Sequence, residues 1–226
     1  MSLLFDLPAT PTLSIDGKTE RFPVRRIYCV GRNYAAHARE MGRDDKEPPF
    51  FFMKPADAAV DANVAVSIPY PPMTNNFHYE VELVAAIGAT LDNASVEAAL
   101  DGVFGYAVGL DMTRRDLQLE AREKGRPWEL GKSFSKSAPI GSIKPSHSHP
   151  DSQIRLEVNG EVRQKSTTGL MLWNVAEALS FLSKYEVLLP GDILMTGTPE
   201  GVGAVNPGEV MHASIEGLAA IEVEVK

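Results

Sequence analysis

A chain of 226 residues that is 44% hydrophobic and 23% charged can bury one sizeable core, and its composition excludes a disordered protein. The formal net charge of −8, with no clustered run of Lys and Arg, argues against a nucleic-acid partner, and nothing in the sequence approaches the ~20 apolar residues of a membrane span. Cys29 is the single cysteine, so an internal disulfide and a thiolate metal cage are excluded; a small-molecule ligand and a reducing, cytoplasmic compartment are expected.

Residues 1–25 read as a short, proline-punctuated lead-in with a hairpin predicted at Asp16-Gly17, a pair that adopts tight-turn angles readily. Residues 26–226 read as a single catalytic domain. Its first strand is Arg26 to Val30, with Cys29 in an apolar run as core. Asn33 is placed to cap a short helix that Gly42 ends, and residues 42–49 form a polar loop before the strand FFFMKP, which carries Lys54. The prolines of PYPPM, at 69–73, exclude regular structure there. A strand is predicted over 79–87, a Ser95-capped helix to Leu100, and a strand from Val103 to Leu110. Thr113 and Asp116 resemble a capping box opening a helix to about Lys124, which Gly125 and Pro127 terminate. IRLEV-NG-EVRQ is a hairpin, and WNVAEALSFLSKY is a helix whose Val175, Ala178, Leu179 and Leu182 bury one stripe. GDILMTGTPEGVG runs from a strand into a glycine-rich loop, and an antiparallel pair closes the chain. Strands outnumber helices, which makes the class α+β with β dominant.

The segment NNFHYEVEL, residues 75–83, alternates His78, Glu80 and Glu82 with Tyr79, Val81 and Leu83. Such a pattern is usually the wet face of a strand. IEVEVK at the C-terminus shows the same alternation, and a solvated face explains it fully. Asp111, at the end of a glycine-flanked strand, supplies a third carboxylate for NNFHYEVEL, and oxygen donors of this kind suit Mg²⁺ or Mn²⁺. Spacing alone leaves their convergence open. Arg115, Gln118 and Arg122 share one helix face, while Lys132 and Lys54 sit beside apolar residues. His37 and Glu40, three apart, share a face on the short helix and can hydrogen-bond. His147, His149 and His212 read as solvated.

In order, VGRNYAAHAREMG, FFFMKP, HYEVEL, GYAVGLDMTRRDLQ, GKSFSKSAPIG and MTGTPEGVG closely resemble the fumarylacetoacetate hydrolase superfamily, across nearly the whole chain. The resemblance is to its short acylpyruvate-cleaving branch, which lacks a large N-terminal domain. It implies a mixed β-roll, a homodimer, and one divalent cation, Mg²⁺ with Mn²⁺ or Ca²⁺ as substitutes, held by Glu80, Glu82 and Asp111. It implies that His37 and Glu40 activate water on a segment that orders as a lid. Lys132 then supports the reaction, Arg115 and Gln118 contact substrate, Gly197 and Thr198 help close the site, and His78 stands behind the ligands.

The expected reaction is hydrolysis of a 2,4-dioxo acid, an acylpyruvate such as fumarylpyruvate. His37, oriented by Glu40, takes a proton from water, hydroxide attacks the 4-oxo carbon, and pyruvate leaves as its enolate beside Lys132. The second carboxylate of fumarylpyruvate would need a further cation, for which Arg32, Lys54 and Arg122 are candidates. Oxaloacetate decarboxylation and the isomerase or decarboxylase reactions of 2-hydroxyhepta-2,4-diene-1,7-dioate use similar intermediates and are alternatives, as is a non-catalytic cation-binding module.

Overall fold

The computed structural model of the chain describes residues 4–6, 8–34, 47–148 and 151–226. Val81–Ile87 and Val103–Leu110 are nearly continuous apolar runs, the pattern of strands buried on both faces, and they pair antiparallel at the centre of the molecule. Around them runs an eight-stranded sheet in the order Phe50–Lys54, Arg26–Gly31, Asp192–Met195, Val81–Ile87, Val103–Leu110, Ala138–Ile140 and Ala59–Asp61, with Lys144–Pro145 added beside Val103–Leu110. Asp192–Met195 lies parallel to Arg26–Gly31, and Ala138–Ile140 to Ala59–Asp61; the remaining pairs are antiparallel. A second, five-stranded sheet runs Glu161–Thr167, Gln153–Val158, Val210–Ile215, Ile221–Val225 and Val66–Ile68. The β-dominant, mixed roll expected from the sequence is the observed architecture.

Side-chain alternation in the central strand separates two cores. Val81, Leu83, Ala85 and Ile87 enter the larger one, together with Leu156, Ala213, Val223 and Leu179. Val84 and Ala86 enter the smaller one, with Leu13, Ile27, Cys29 and Ile193. Glu82 has the parity of Val84 and Ala86, so a carboxylate sits at the end of an otherwise apolar face. Burial pushes the Cys29 thiol well above its usual range, as expected of an inert core cysteine.

Several local expectations hold. Asn159 and Gly160 take positive φ angles of 51° and 81° and join Gln153–Val158 to Glu161–Thr167 as a two-residue turn. The helix Val175–Leu182 opens on a capping box between Asn174 and Glu177 and buries Val175, Ala178, Leu179 and Leu182. Ser95 accepts from Ala98 N at the start of the helix Val96–Asp101. No helix among the described residues is long and apolar enough to cross a membrane.

Other expectations are corrected. The strand predicted over 79–87 is two strands: Phe77–Tyr79 leaves the large sheet to pair with Thr113–Arg114 and Gly203–Ala204, and Glu80 lies between the segments. The capping box at Thr113 does not form. The helix is Arg115–Glu123, Thr113 lies in a short strand with its hydroxyl turned to the buried charges, and the Asp116 carboxylate accepts from Thr74 and from the backbone of Asn75 and Leu117. The helix that Asn33 is expected to cap lies outside the described residues; within them its carboxamide donates to Trp173 O and Thr196 O and accepts from Trp173 N, all at 2.8 Å. Within the lead-in, Leu13, Ile15, Phe22 and Val24 are buried in the smaller core.

Candidate metal centre

Glu80 occupies the break between Phe77–Tyr79 and Val81–Ile87, Glu82 is the second residue of the central strand, and Asp111 follows Leu110 directly. The Asp111 backbone N–H donates to Glu80 O at 2.9 Å, which brings the two side chains together. Glu82 stands opposite Gly109, which has no side chain to cover it. A Cβ at 109 would meet Val84 Cγ2 at 2.6 Å, so the close approach of the two strands requires glycine there. One oxygen from each of the three carboxylates lies within 4.8 Å of the other two. They are only 6%, 1% and 1% exposed in chain order, whereas Glu222 on the terminal strand Ile221–Val225 is exposed and Glu224 partly so.

Buried charge of one sign is expensive unless it is paired. Lys132, at the end of the short helix Glu129–Lys132, places Nζ 2.9 Å from Glu80 Oε2, 2.6 Å from Asp111 Oδ2 and 2.7 Å from the Thr113 hydroxyl. Burial alone would push the Lys132 ammonium down, but Asp111 and Glu80 outweigh it and hold the group above its ordinary value. Arg115 pairs with Glu80 Oε1 through one nitrogen, bonds Gln118 Oε1 through another, and donates from Nε to His78 Nδ1 at 3.3 Å. His78 in turn bonds Asn76 Oδ1 through Nε2 at 2.7 Å. Burial first, and Arg115 second, lower His78 to about 4, so the ring is neutral at neutral pH and accepts from Arg115.

Lys54, expected as a substrate contact, reaches Asp111. Its fully buried Nζ is 2.8 Å from Asp111 Oδ1, 3.0 Å from Ser137 Oγ and 3.2 Å from Met112 O, and it also bonds Lys132 O. Gly197 and Thr198 line the cleft, but their polar groups are engaged behind it. Gly197 N–H donates to Glu82 Oε2 at 2.8 Å, and the Thr198 hydroxyl donates to Val81 O at 2.8 Å while accepting from Gln164 Nε2. Gln164, which the sequence did not single out, also accepts from Val81 N at 3.0 Å and donates to Pro199 O, tying the glycine-rich loop to the metal-side strand. His37 and Glu40 lie outside the described residues, as does His149; His147 and His212 are exposed.

The donor set fits a hard divalent cation. All three candidates offer carboxylate oxygen, as Mg²⁺ and Mn²⁺ prefer. Asp111 Oδ1 is buried and accepts no hydrogen bond, since Lys54 is close enough to pair with it but poorly aligned to donate. Burial, with Asp111 and Glu80 added to it, pushes Glu82 well above the usual carboxylate range. Each of these features is what a missing positive charge at the centre of the triad would produce. Three carboxylates face Lys54, Lys132 and Arg115, so a divalent ion would leave the cluster positive and suited to an anionic ligand.

The profile of the fumarylacetoacetate hydrolase C-terminal family matches residues 26–226. The fumarylpyruvate hydrolase of a Ralstonia species is 46% identical over 190 residues, covering 82% of this chain and 98% of that protein. The mitochondrial oxaloacetate tautomerase of Homo sapiens is 40% identical over 205 residues, 89% of this chain and 92% of that protein. The crystal structure of fumarylpyruvate hydrolase from Pseudomonas aeruginosa in complex with Mn²⁺ and pyruvate superposes with a TM-score of 0.93 at 54% identity, covering 99% of both chains.

Proposed function

The chain belongs to the fumarylacetoacetate hydrolase family, and from that premise we propose that it is a metal-dependent hydrolase cleaving the C3–C4 bond of an acylpyruvate, fumarylpyruvate foremost, to a carboxylic acid and pyruvate. The observation that carries the proposal is the buried triad of Glu80, Glu82 and Asp111 with Lys132 bridging two of its members. Glu80, Glu82 and Asp111 would hold Mg²⁺, or Mn²⁺ in its place, and the bound ion supplies Lewis-acid polarisation of the 2-oxo acid.

The protein's own residues divide the remaining work. Arg115 and Gln118, bonded to each other at the edge of the cleft, bind and orient the carboxylate end of the substrate. Lys132 keeps a positive charge beside the oxygen on which enolate charge develops as the C3–C4 bond breaks. His37, oriented by Glu40, takes the proton from the attacking water and returns it to the departing pyruvate carbon, so the net reaction adds one water across the bond. The Gly197 N–H holds Glu82 in place. We further place the enzyme in the cytoplasm as a homodimer, in line with the family resemblance, and its substrate class is that of aromatic-compound breakdown.

The relatives that are oxaloacetate tautomerases favour a second reading, proton shuffling on a C4 2-oxo diacid without bond cleavage. A Mg²⁺-supplemented panel of fumarylpyruvate, acetylpyruvate and oxaloacetate, with acid plus pyruvate, CO₂ plus pyruvate and tautomer followed separately, decides between them. Acid plus pyruvate from the acylpyruvates is the expected result, with His37→Ala slower by about 10² to 10⁴ and metal binding retained. Turnover of oxaloacetate alone would overturn the hydrolase assignment.

A further inference from the structure

The space against the three carboxylates is small, about 30 Å³, about the room of one water or one ion. Immediately beside it lies a cavity of about 500 Å³. Arg32, Phe52 and Trp128 line both, so a substrate held by its 2-oxo acid end at the triad has its acyl chain directed past these three side chains into the larger space.

The larger cavity has a definite chemistry. One wall is aromatic: Phe50 packs edge-on to Trp128 with ring centroids 4.9 Å apart, and Phe52 lies 5.8 Å from the same indole. The opposing charges are Arg32, Arg122 and Arg126 against one lining carboxylate, Glu129, in a chain whose net charge is −8. Arg32 stacks over Trp128 at 5.9 Å, and its backbone has the left-handed φ of 59°, a conformation that costs a non-glycine residue energy and recurs at ligand sites. Gly125, at φ 61°, turns the chain at the end of the helix Arg115–Glu123 so that Arg126 N bonds back to Ala121 O and Arg126 comes to the same rim as Arg122. A planar unsaturated chain suits the aromatic wall, and a terminal carboxylate suits the guanidinium rim, where the apolar flank weakens competition from water.

Resting on the acylpyruvate reading, we propose that this cavity is the acyl subsite and that Arg126 together with Arg122 takes a distal carboxylate, so that the enzyme selects acylpyruvates whose acyl group is itself an unsaturated acid. Lys54, engaged with Asp111, takes no part in this recognition.

The test compares fumarylpyruvate, which has the distal carboxylate, with acetylpyruvate, which lacks it, in the full-length Mn²⁺-loaded enzyme and in Arg126→Gln, Arg126→Lys and Arg122→Gln. Arg126 is exposed, so its replacement leaves the core intact. The ratio of kcat/KM for the two substrates is expected to fall about tenfold or more in each glutamine variant, mainly through KM for fumarylpyruvate, with Arg126→Lys recovering part of it. A second readout is independent of turnover: fumarate and crotonate, which differ in one carboxylate, are titrated against the fluorescence of Trp128, one of two tryptophans. The wild type is expected to prefer fumarate and Arg126→Gln to lose that preference. A substrate ratio within about twofold of wild type in both glutamine variants, or a fumarate preference that survives them, overturns the subsite. Failure of the wild type to cleave either acylpyruvate overturns the hydrolase reading instead, and the fumarate–crotonate comparison still decides the subsite.

Discussion

Replacing Lys54 by methionine separates a counter-ion from a substrate contact. Lys54 has 0% of its side chain exposed and its partner Asp111 has 1%, so the substitution removes a charge from a dry site while keeping most of the volume. Breaking a buried ion pair by deleting one member costs about 3–5 kcal/mol. Lys132 still bonds Asp111 Oδ2 at 2.6 Å, which places the expected loss near the lower end, about 3 kcal/mol. For a chain of this size about 1 kcal/mol shifts the melting temperature by roughly 2–4 °C, so the metal-free variant is expected to melt roughly 6–12 °C lower. A cation bound at the triad restores positive charge to Asp111, so Mn²⁺ is expected to raise the melting temperature of the variant by more than that of the wild type. Scanning fluorimetry with and without Mn²⁺ measures both quantities. A metal-free variant that melts within about 2 °C of wild type, or a metal-induced shift equal in the two proteins, would refute the role of Lys54 as counter-ion to a metal ligand.

Gly197→Ala is expected to weaken Mn²⁺ binding and to cost about 1–3 kcal/mol, because the residue has φ 93° and its added Cβ would lie 2.8 Å from Asn33 Cβ, displacing the N–H that holds Glu82; calorimetric titration of the metal checks it. The response to pH follows from Glu82, whose folded-state pKa burial raises. Between the ordinary carboxylate value and the raised one the folded metal-free chain holds more protons than the unfolded chain, so its stability falls as pH rises through that window. Metal binding requires the deprotonated carboxylate, so stabilisation by a fixed Mn²⁺ concentration is expected to grow as pH rises above the ordinary carboxylate value, with proton release measurable in buffers of different ionisation heat. Stabilisation independent of pH would contradict the raised pKa of metal-free Glu82.

How much of this was legible in the sequence depends on how local each cause is. Turns and caps written in adjacent residues, such as Asn159-Gly160 and the Ser95 cap, formed where their chemistry placed them. Thr113 and Asp116 carry a similar local signal, but it yielded to partners far along the chain: Thr113 serves Lys132, and Asp116 serves Thr74 and Asn75. Asn33 also bonds across 140 residues, at Trp173, a contact that no local signal announces. Local hydrogen bonding is worth about 1 kcal/mol, which a buried charge or an unsatisfied backbone group easily exceeds. Gln164 and Arg126 left no mark at all, since one sits in an ordinary hairpin strand and the other follows a helix-ending glycine.

The alternation in NNFHYEVEL shows where such reading reaches its limit. IEVEVK carries the same glutamate spacing, and there the glutamates face outward, Glu222 to solvent and Glu224 partly so. Glu80 and Glu82 owe their burial to neighbours that the spacing does not contain: the Asp111 N–H on Glu80 O, the bare Gly109 opposite Glu82, and Lys132 arriving on a separate helix. The strand does not even run unbroken through the motif, because Phe77–Tyr79 turns off into the three-stranded sheet. Glu80 lies between the two segments, where its carboxylate meets Arg115 and Lys132 together. Same-face neighbours in a strand have Cα atoms about 7 Å apart, a gap that two glutamate side chains span, and oxygens of Glu80 and Glu82 lie within 4.8 Å of each other and of Asp111. The metal centre is therefore built on the alternation that first drew attention to it, and completed by residues distant along the chain.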